Sequence, residues 1–404
     1  MRLGVYLGDF RPEDGGGYTF IRDVSNCLID LAKAGAINHE LVLFCGPAAA
    51  LFLRRSAADA VTVVSIEPEP WLLAKLQAYR LSSPMGAFLW RRASRFQRAL
   101  DAAGVDLVWF VGASGESLDT PYIATVWDLQ HRTHPWFPEV GQLSVWDRRE
   151  RHFSRYLRRA AMLITGTQVG KQELERYYQI NPSQITVLQH PTPSFYLEQS
   201  KLPPRPCPAH LGIHGDYLLY PAQFWAHKNH MLLLETFARM SSRGDKELNL
   251  VFVGSDKGNK AYIEKMILRL GLGDRVRLLG FVAIEDLVAL YQNAKALVYA
   301  SFSGPENLPP LEAFALRCPV LQSGFPGARE QLGEAAIYFD PADSESLVAA
   351  IRQLRDDAAA RDTMVNSGYA RAVSWTANDF VAGVMQSIDR FSPYRAAWPG
   401  HAQG

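Results

Sequence analysis

Short apolar runs and segments of helical period alternate along nearly the whole chain. Leu3–Leu7 reads as a buried strand running into the glycine-bearing loop Gly8–Gly17, and a helix follows over Tyr18–Ala34. Further strands are expected at Leu41–Phe44, Val61–Ser65, Leu107–Phe110, Tyr122–Val126, Met162–Thr165 and Ile185–Leu188. Between them lie a long segment Trp71–Ala103, an arginine-rich helix and the helix Gln168–Tyr178. The pattern then starts again, with strands at Tyr217–Ala222, Leu248–Val253, Val276–Leu279, Ala296–Ala300, Val320–Gln322 and Ala336–Phe339. Helices are expected at His230–Ser241, Lys260–Leu270, Ile284–Gln292, Pro310–Leu316 and Ser344–Asp357, with Arg329–Leu332 completing the alternation. Continuous apolar strands separated by helices predict parallel sheets covered on both faces, so the chain reads as α/β with two doubly wound domains in tandem.

Prolines at 191, 193, 203, 204, 206 and 208 mark the join, because so many cannot sit inside a helix or a sheet. The boundaries drawn from this are a first domain over 1–195, a linker over 196–212 and a second domain over 213–375. A C-terminal helix over 376–392 is expected to pack back on the first domain. A length of 404 residues suits two domains. With 48% hydrophobic and 21% charged residues, the chain has the balance of a globular protein. A formal net charge of +1 gives no overall field to recruit nucleic acid, and none is expected as a partner. The four cysteines lie far apart without a CxxC pair, which points away from zinc and disulfides and toward a reducing compartment. The N-terminal residues lack the pattern of a secretion signal and no apolar run is long enough to span a bilayer. The expected location is cytoplasmic, with peripheral contact to the inner membrane face left open.

Open parallel sheets bind ligands at the carboxyl ends of their strands, so the loops there carry the chemistry. The first, Asp14–Tyr18, opens a helix with three glycines, and Gly16 and Gly17 would present bare amides to a phosphate. A flexible turn accounts for it equally well. The dinucleotide fingerprint fails at Phe20, and no acidic residue closes the following strand, which counts against an NAD enzyme. In the loop Pro221–His230, Lys228 stands near a helix N-terminus. The dipole disfavours a cation there, but a diphosphate between lysine and helix would reconcile the two. A solvated surface lysine is the bland alternative. In Ser303–Ala313, two prolines preset a helix start, and Glu312 is expected in its first turn, where the dipole alone would stabilise it. Several amides of the segment Gly304–Leu308 would favour an anionic or hydroxyl-rich ligand. In Thr125–Arg132, Trp127 could stack on a sugar face while Asp128 and His131 bond hydroxyls. Equally, Trp127 packs in the core and Asp128 caps the next turn.

Together these segments resemble the retaining, GT-B-fold glycosyltransferases of family 4 (glycosyl transferases group 1). AMLITGTQVGKQELERYY with ITVLQH is similar to the end of that family's first domain. Gln223–Lys228 matches its phosphate-binding loop, PENLPPLEAFA its donor loop, usually written E-x7-E, and VLQSGFPGAREQLGEAAIYFDPAD the segment that follows. The resemblance implies two Rossmann-like domains facing across a cleft and transfer of a hexose, mannose included, from a GDP- or UDP-linked donor. The acceptor would be a glycan or a lipid-linked glycan of a bacterial surface polysaccharide. No cofactor beyond the nucleotide sugar and no metal is implied. Donor contacts fall on Gly16, Gly17, Gln223, Lys228, Phe281, Val282, Gly304, Pro305, Asn307, Leu308 and Glu312, with the ribose on Glu312 and the base near Phe281. Acceptor contacts fall on Tyr18, Trp127 and Arg132, and catalytic roles on Lys228, Asp128, His131 and Glu306.

The chain departs from the family pattern at three points. The first glutamate of E-x7-E is Gly304 here; either Glu306, two residues on, substitutes for it, or the backbone amides hold the sugar without it. The usual arginine before the lysine is Gln223, and Trp127 stands where many relatives have histidine. A GT-B nucleotide-sugar epimerase and a catalytically silent nucleotide-binding scaffold are the alternatives. Two arginine groups, from Arg91 to Arg98 and from Arg148 to Arg159, suit either a solvated face or an anionic bilayer, the first group lying beside Trp71, Phe88, Trp90 and Phe96.

Overall fold

A computed structural model of the chain describes residues 1–11, 15–67, 94–113 and 115–397. Asp14 and most of the segment Trp71–Ala103, including Arg91, Arg92 and the aromatics Trp71, Phe88 and Trp90, lie outside the described residues. Two compact units emerge. The first comprises Met1–His131, Leu143–Leu188 and Asn378–Gly404, and the second comprises Arg132–Gln142 and Gln189–Ala377. The chain leaves the first unit after Leu188 and returns to it at Asn378, and the proline-dense stretch falls in the second unit. Instead of an extended linker it holds a short helix, Ser194–Gln199, that begins directly after Pro193. The segment 132–142 was not expected to leave its neighbours in sequence for the second unit.

The first unit is built on a parallel sheet of β1 (Arg2–Gly8), β2 (Glu40–Cys45), β3 (Thr62–Ser65), β4 (Leu107–Phe110), β5 (Tyr122–Val126), β6 (Met162–Thr165) and β7 (Ile185–Val187), ordered 3-2-1-4-5-6-7. Leu3 stands opposite both Leu41 and Leu107, which fixes the register in the centre of the sheet. Strands β4 and β5 are buried at every position, as a sheet covered on both faces requires. On one face, Phe110 meets Tyr122, Tyr156 and Phe96 edge-on at 5.7–6.0 Å, the geometry that aromatic quadrupoles favour. The C-terminal helix Ala377–Arg395 closes the unit, with Phe380 against Phe20 and Arg395 bonded to Asp106.

The second unit repeats the design with β8 (Tyr217–Pro221), β9 (Asn249–Val253), β10 (Val276–Leu278), β11 (Ala296–Tyr299), β12 (Val320–Ser323) and β13 (Ile337–Phe339), ordered 10-9-8-11-12-13. In each sheet the strand order reverses once, between β1 and β4 and between β8 and β11. At such a point neighbouring loops diverge to opposite faces and leave a crevice beyond the strand ends. Among the described residues no helix is long and apolar enough to cross a membrane.

One glycine ties the second sheet to its ligand-facing loops. Gly254 follows β9 with φ 152°, and a Cβ there would sit 2.4 Å from the carbonyl oxygen of Ala222, backbone that cannot swing away. Replacing Gly254 with alanine should lower the free energy of unfolding by roughly 2–3 kcal/mol. Urea denaturation checks this, and a loss too small to measure would show that the Ala222 backbone yields.

Candidate active site

The loop after β8 and the loop after β11 flank the switch point of the second sheet. After Pro221 the chain is pinned at Phe224, which is fully buried and stacked on the His230 ring at 4.4 Å. Its N–H donates to the carbonyl of Ser255. A single 3-10 turn, Ala226–Lys228, follows, and Asn229 adopts the left-handed conformation (φ 55°) that starts the helix His230–Ser242. The hydroxyl of Tyr220 donates to the Lys228 carbonyl, and the Phe302 N–H donates to that of His227. The loop is thus fixed from below by its own strand and from beside by the β11 loop.

That leaves the Lys228 ammonium directed at the end of β11. Nζ donates to Tyr299 Oη at 2.9 Å and to Asn307 Oδ1 at 3.4 Å, and Tyr299 Oη itself donates to Asn307 Oδ1 at 2.8 Å. Asn307 is rigid because buried Gln331 takes both its main-chain groups, at 3.0 Å each, and its Nδ2 donates to the Gly304 carbonyl. Gly304 has φ 108°, which favours glycine, and Gly327 approaches Pro305 too closely for a Cβ. Lys228, Gly304, Pro305 and Asn307 therefore meet at one strand end, and Leu308 opens the helix Leu308–Ala315 beside them. Tyr299 was missed as a site residue. Its signal was available, since it is a polar aromatic at the last position of a strand beside the switch point.

The other expected residues of this unit fall in different settings. Gln223 Oε1 accepts from the Trp225 indole at 3.0 Å, so no cation replaces the family's arginine at this position. Phe281 is 61% exposed after Gly280, beyond the end of β10, with Val282 half-buried beside it. Glu312 is not in the first turn of its helix. It sits a turn further in, buried, and accepts from Tyr291 Oη at 2.7 Å and from Tyr196. Burial pushes its carboxyl up to about 7 against the opposing pull of these two hydroxyls, so tyrosines rather than the dipole hold it.

Glu306 needs a correction. It does not stand in for the missing glutamate at Gly304, because its carboxylate points into the interior and accepts the His190 N–H at 2.7 Å. Burial pushes it up to about 8, and the nearby Glu330 carboxylate adds to the shift. The loop turns at Gly304, and beyond the turn the Glu306 side chain is held inward by the His190 N–H.

In the first unit, Gly15 (φ 68°) precedes the helix Gly16–Lys33. A Cβ on Gly17 would just meet the Trp127 ring, at 3.4 Å, and Trp127 lies edge-on to Phe20 at 5.7 Å, half-buried. Tyr18 leans on Phe10 and on the Arg22 guanidinium. Asp128 accepts the Gln130 N–H at 2.8 Å and pairs with Arg149 at 2.9 Å, which makes it a turn cap that keeps part of its surface in solvent. His131 is a second correction. It is fully buried, with Nε2 3.0 Å from Tyr178 Oη and 3.4 Å from Glu150, and burial pushes it down to about 4. The short helix Gln130–Thr133 turns this ring inward, so it meets no hydroxyl from outside. Arg132 belongs to the second unit. Among the described residues no group of three His, Cys, Asp or Glu side chains could hold a metal ion.

Two family models match the chain, Glycosyltransferase Family 4 over residues 24–193 and Glycosyl transferases group 1 over residues 214–371. The chain belongs to glycosyltransferase family 4. Its fold is the GT-B fold, as the paired Rossmann-like sheets require. Family members similar to it include the O-antigen chain mannosyltransferase RfbU of Salmonella typhimurium, 27% identical over 49% of this chain and 52% of the relative. The O-antigen chain mannosyltransferase B of Escherichia coli is 26% identical over 56% and 60%. The chain thus spans little more than half the length of the curated relatives it matches. Anabaena HepE, solved in complex with UDP, superimposes with a TM-score of 0.64 over 97% of this chain and all of that one, at 18% identity.

The burial of Glu306 has a consequence for stability. Its folded-state carboxyl titrates near 8 against an ordinary 4.5, so the folded state holds a proton that the unfolded state releases. Its effect is absent below pH 4.5 and grows into a destabilisation as pH rises to 8. Glu306→Gln should therefore melt higher than the parent at pH 8, with the gap closing toward pH 5. Melting curves across that range check it, and a gap independent of pH would refute the assignment.

Proposed function

We propose that this protein is a retaining glycosyltransferase that moves a hexose, mannose first among the candidates, from a GDP- or UDP-linked donor to a glycan or lipid-linked acceptor of a bacterial surface polysaccharide. The mannosyltransferase names of its O-antigen relatives and the UDP bound in HepE support the substrate class. The observation that carries the reading is the Lys228 ammonium, braced by Tyr299 and Asn307 at the switch point of a parallel sheet. When the glycosidic bond breaks, negative charge develops on the departing diphosphate. A cation already held in place stabilises that charge without reorganising, which is the main source of electrostatic catalysis. Phe281 then suits a stacked base, and Glu312, on the helix that the donor loop opens, is the family's position for the ribose hydroxyls. In this reading the diphosphate's charge is met by Lys228 and by loop amides rather than by a metal ion. The acceptor is bound through Tyr18, Trp127 and the exposed part of Asp128.

Lys228→Ala should lower turnover at least a hundredfold and weaken GDP or UDP binding while melting like the parent. Transfer by the parent should persist in excess EDTA. Calorimetry over a panel of nucleotide diphosphates, followed by mass analysis of products, checks both points. Unchanged nucleotide affinity in the variant would overturn the diphosphate assignment.

We also propose peripheral membrane contact through the helix Leu143–Arg159. Arg148, Arg151, Arg155, Arg158 and Arg159 are exposed within one arc of it, and Leu143 at its start is 76% exposed. Clustered guanidinium groups of this kind attract the anionic lipids of a bilayer surface. The protein should sediment with phosphatidylglycerol vesicles and not with phosphatidylcholine vesicles. Arg148→Glu with Arg155→Glu should abolish that sedimentation and leave turnover on a soluble acceptor intact.

A further inference from the structure

The segment 132–142, whose chain neighbours on both sides lie in the first unit, sits on the second unit at the loop that carries Lys228. Its Phe137 ring lies between His227, at 6.1 Å, and Phe302, at 5.7 Å. Its Glu139 reaches the loop itself. Oε1 accepts the His227 N–H at 3.0 Å and also the His227 Nδ1–H. The Glu139 side chain is only 8% exposed, and its Oε2 is buried without a hydrogen-bond partner.

We infer that Glu139 is a positioning residue that keeps His227 protonated and thereby fixes the Lys228 loop for an anionic ligand. An ionised carboxylate this deeply buried, with one oxygen unbonded, is costly unless a positive charge stands against it. The imidazole on Oε1 is the group in contact that can carry one. Burial alone would push the Glu139 carboxyl up, but the bonds from His227 and the charge on its ring outweigh this and hold it below its ordinary value. The carboxylate therefore stays ionised, and the group set against it is the His227 ring. With both the N–H and the ring of His227 tied to one oxygen, the residue before Lys228 cannot rotate, and the ammonium keeps its approach to Tyr299.

Other titratable and charged groups face this pair. From the same loop and the helix after it come Lys228 and His230, whose buried ring is pushed down to about 3 and stays neutral. From the segment itself comes His134, pushed down by burial. The β11 loop contributes Ser301 and Phe302, which carry no charge.

The inference rests on reading the Lys228 loop as the diphosphate site, so two measurements keep their failures apart. Without any nucleotide, the His227 ring signal, assigned by its absence in His227→Gln, should stay protonated to higher pH in the parent than in Glu139→Gln. An unchanged titration would overturn the pairing whatever the loop binds. Second, Glu139→Gln should weaken binding of GDP, UDP and inorganic pyrophosphate about tenfold near neutral pH, the loss expected when a charged hydrogen bond is removed. Glu139→Asp should recover part of that loss, and nucleoside affinity should not move. Equal losses for nucleoside and diphosphate would reduce Glu139 to a purely structural support. Should the parent bind no diphosphate, the proposed function fails, and the imidazole titration still judges the pair.

Discussion

The second unit is organised around one ammonium group. Lys228 has three N–H donors, and the fold spends two of them on Tyr299 and Asn307 before any ligand arrives. That bracing is possible because β8 and β11 are sheet neighbours although far apart in sequence, so the loop after one and the last residue of the other meet at the strand ends. Every other device of the site serves this meeting. Phe224 pins the base of the loop, Tyr220 holds its far end, Gly254 lets β9 approach it, and Gln331 freezes Asn307.

The second unit holds three buried carboxyls in the segments that build or touch its ligand-facing loops, and their handling follows an electrostatic logic. A site for a doubly charged diphosphate is weakened by any carboxylate in low dielectric nearby. Burial raises Glu306 to about 8 and Glu312 to about 7, so near neutral pH the first is mostly protonated and the second partly so. Glu139 alone is held ionised, and it faces an imidazole of its own. The negative charge that the sequence brings to this region is thus muted by protonation or matched by a partner. The arginine replaced by Gln223 removes one positive charge, which makes that economy more important.

Much of the fold was legible because both sheets are parallel and doubly covered. Their strands are short continuous apolar runs, bounded closely enough that Leu107–Phe110, Tyr122–Val126 and Met162–Thr165 fall where the pattern puts them. The loop Gln223–Lys228 and the turn at Gly304 were legible for a related reason, since lysine at a helix start and glycine before a proline-primed helix lack a simple structural purpose. Side-chain direction was not legible. Glu306 and His131 are polar residues in ligand-facing segments, yet each is turned inward, one by the Gly304 turn and the other by a single helical turn. Sequence spacing counts residues along the chain, and a rotation of the backbone at one glycine is enough to reverse which side they face. Tertiary partners distant in sequence were hidden too. Glu139 and His227 are paired across 88 positions, and nothing local to either announces the other.

The two units differ in how they prepare their ligand-facing loops. In the second, polar side chains are cross-braced to one another and one cation is kept in reach. In the first, Gly17 leaves room for the Trp127 ring beside the helix start, and Asp128 is committed to Gln130 and Arg149. A loop braced by hydrogen bonds suits a ligand part that never changes, such as a diphosphate. A loop presenting an aromatic edge and a half-exposed carboxylate suits a ligand whose hydroxyls must be told apart, because a buried polar group left unpaired by the wrong isomer costs more than a lost contact. On the proposed function, Trp127 in place of histidine is a change on the acceptor side, and the aromatic edge it shares with Phe20 is what the first unit offers there.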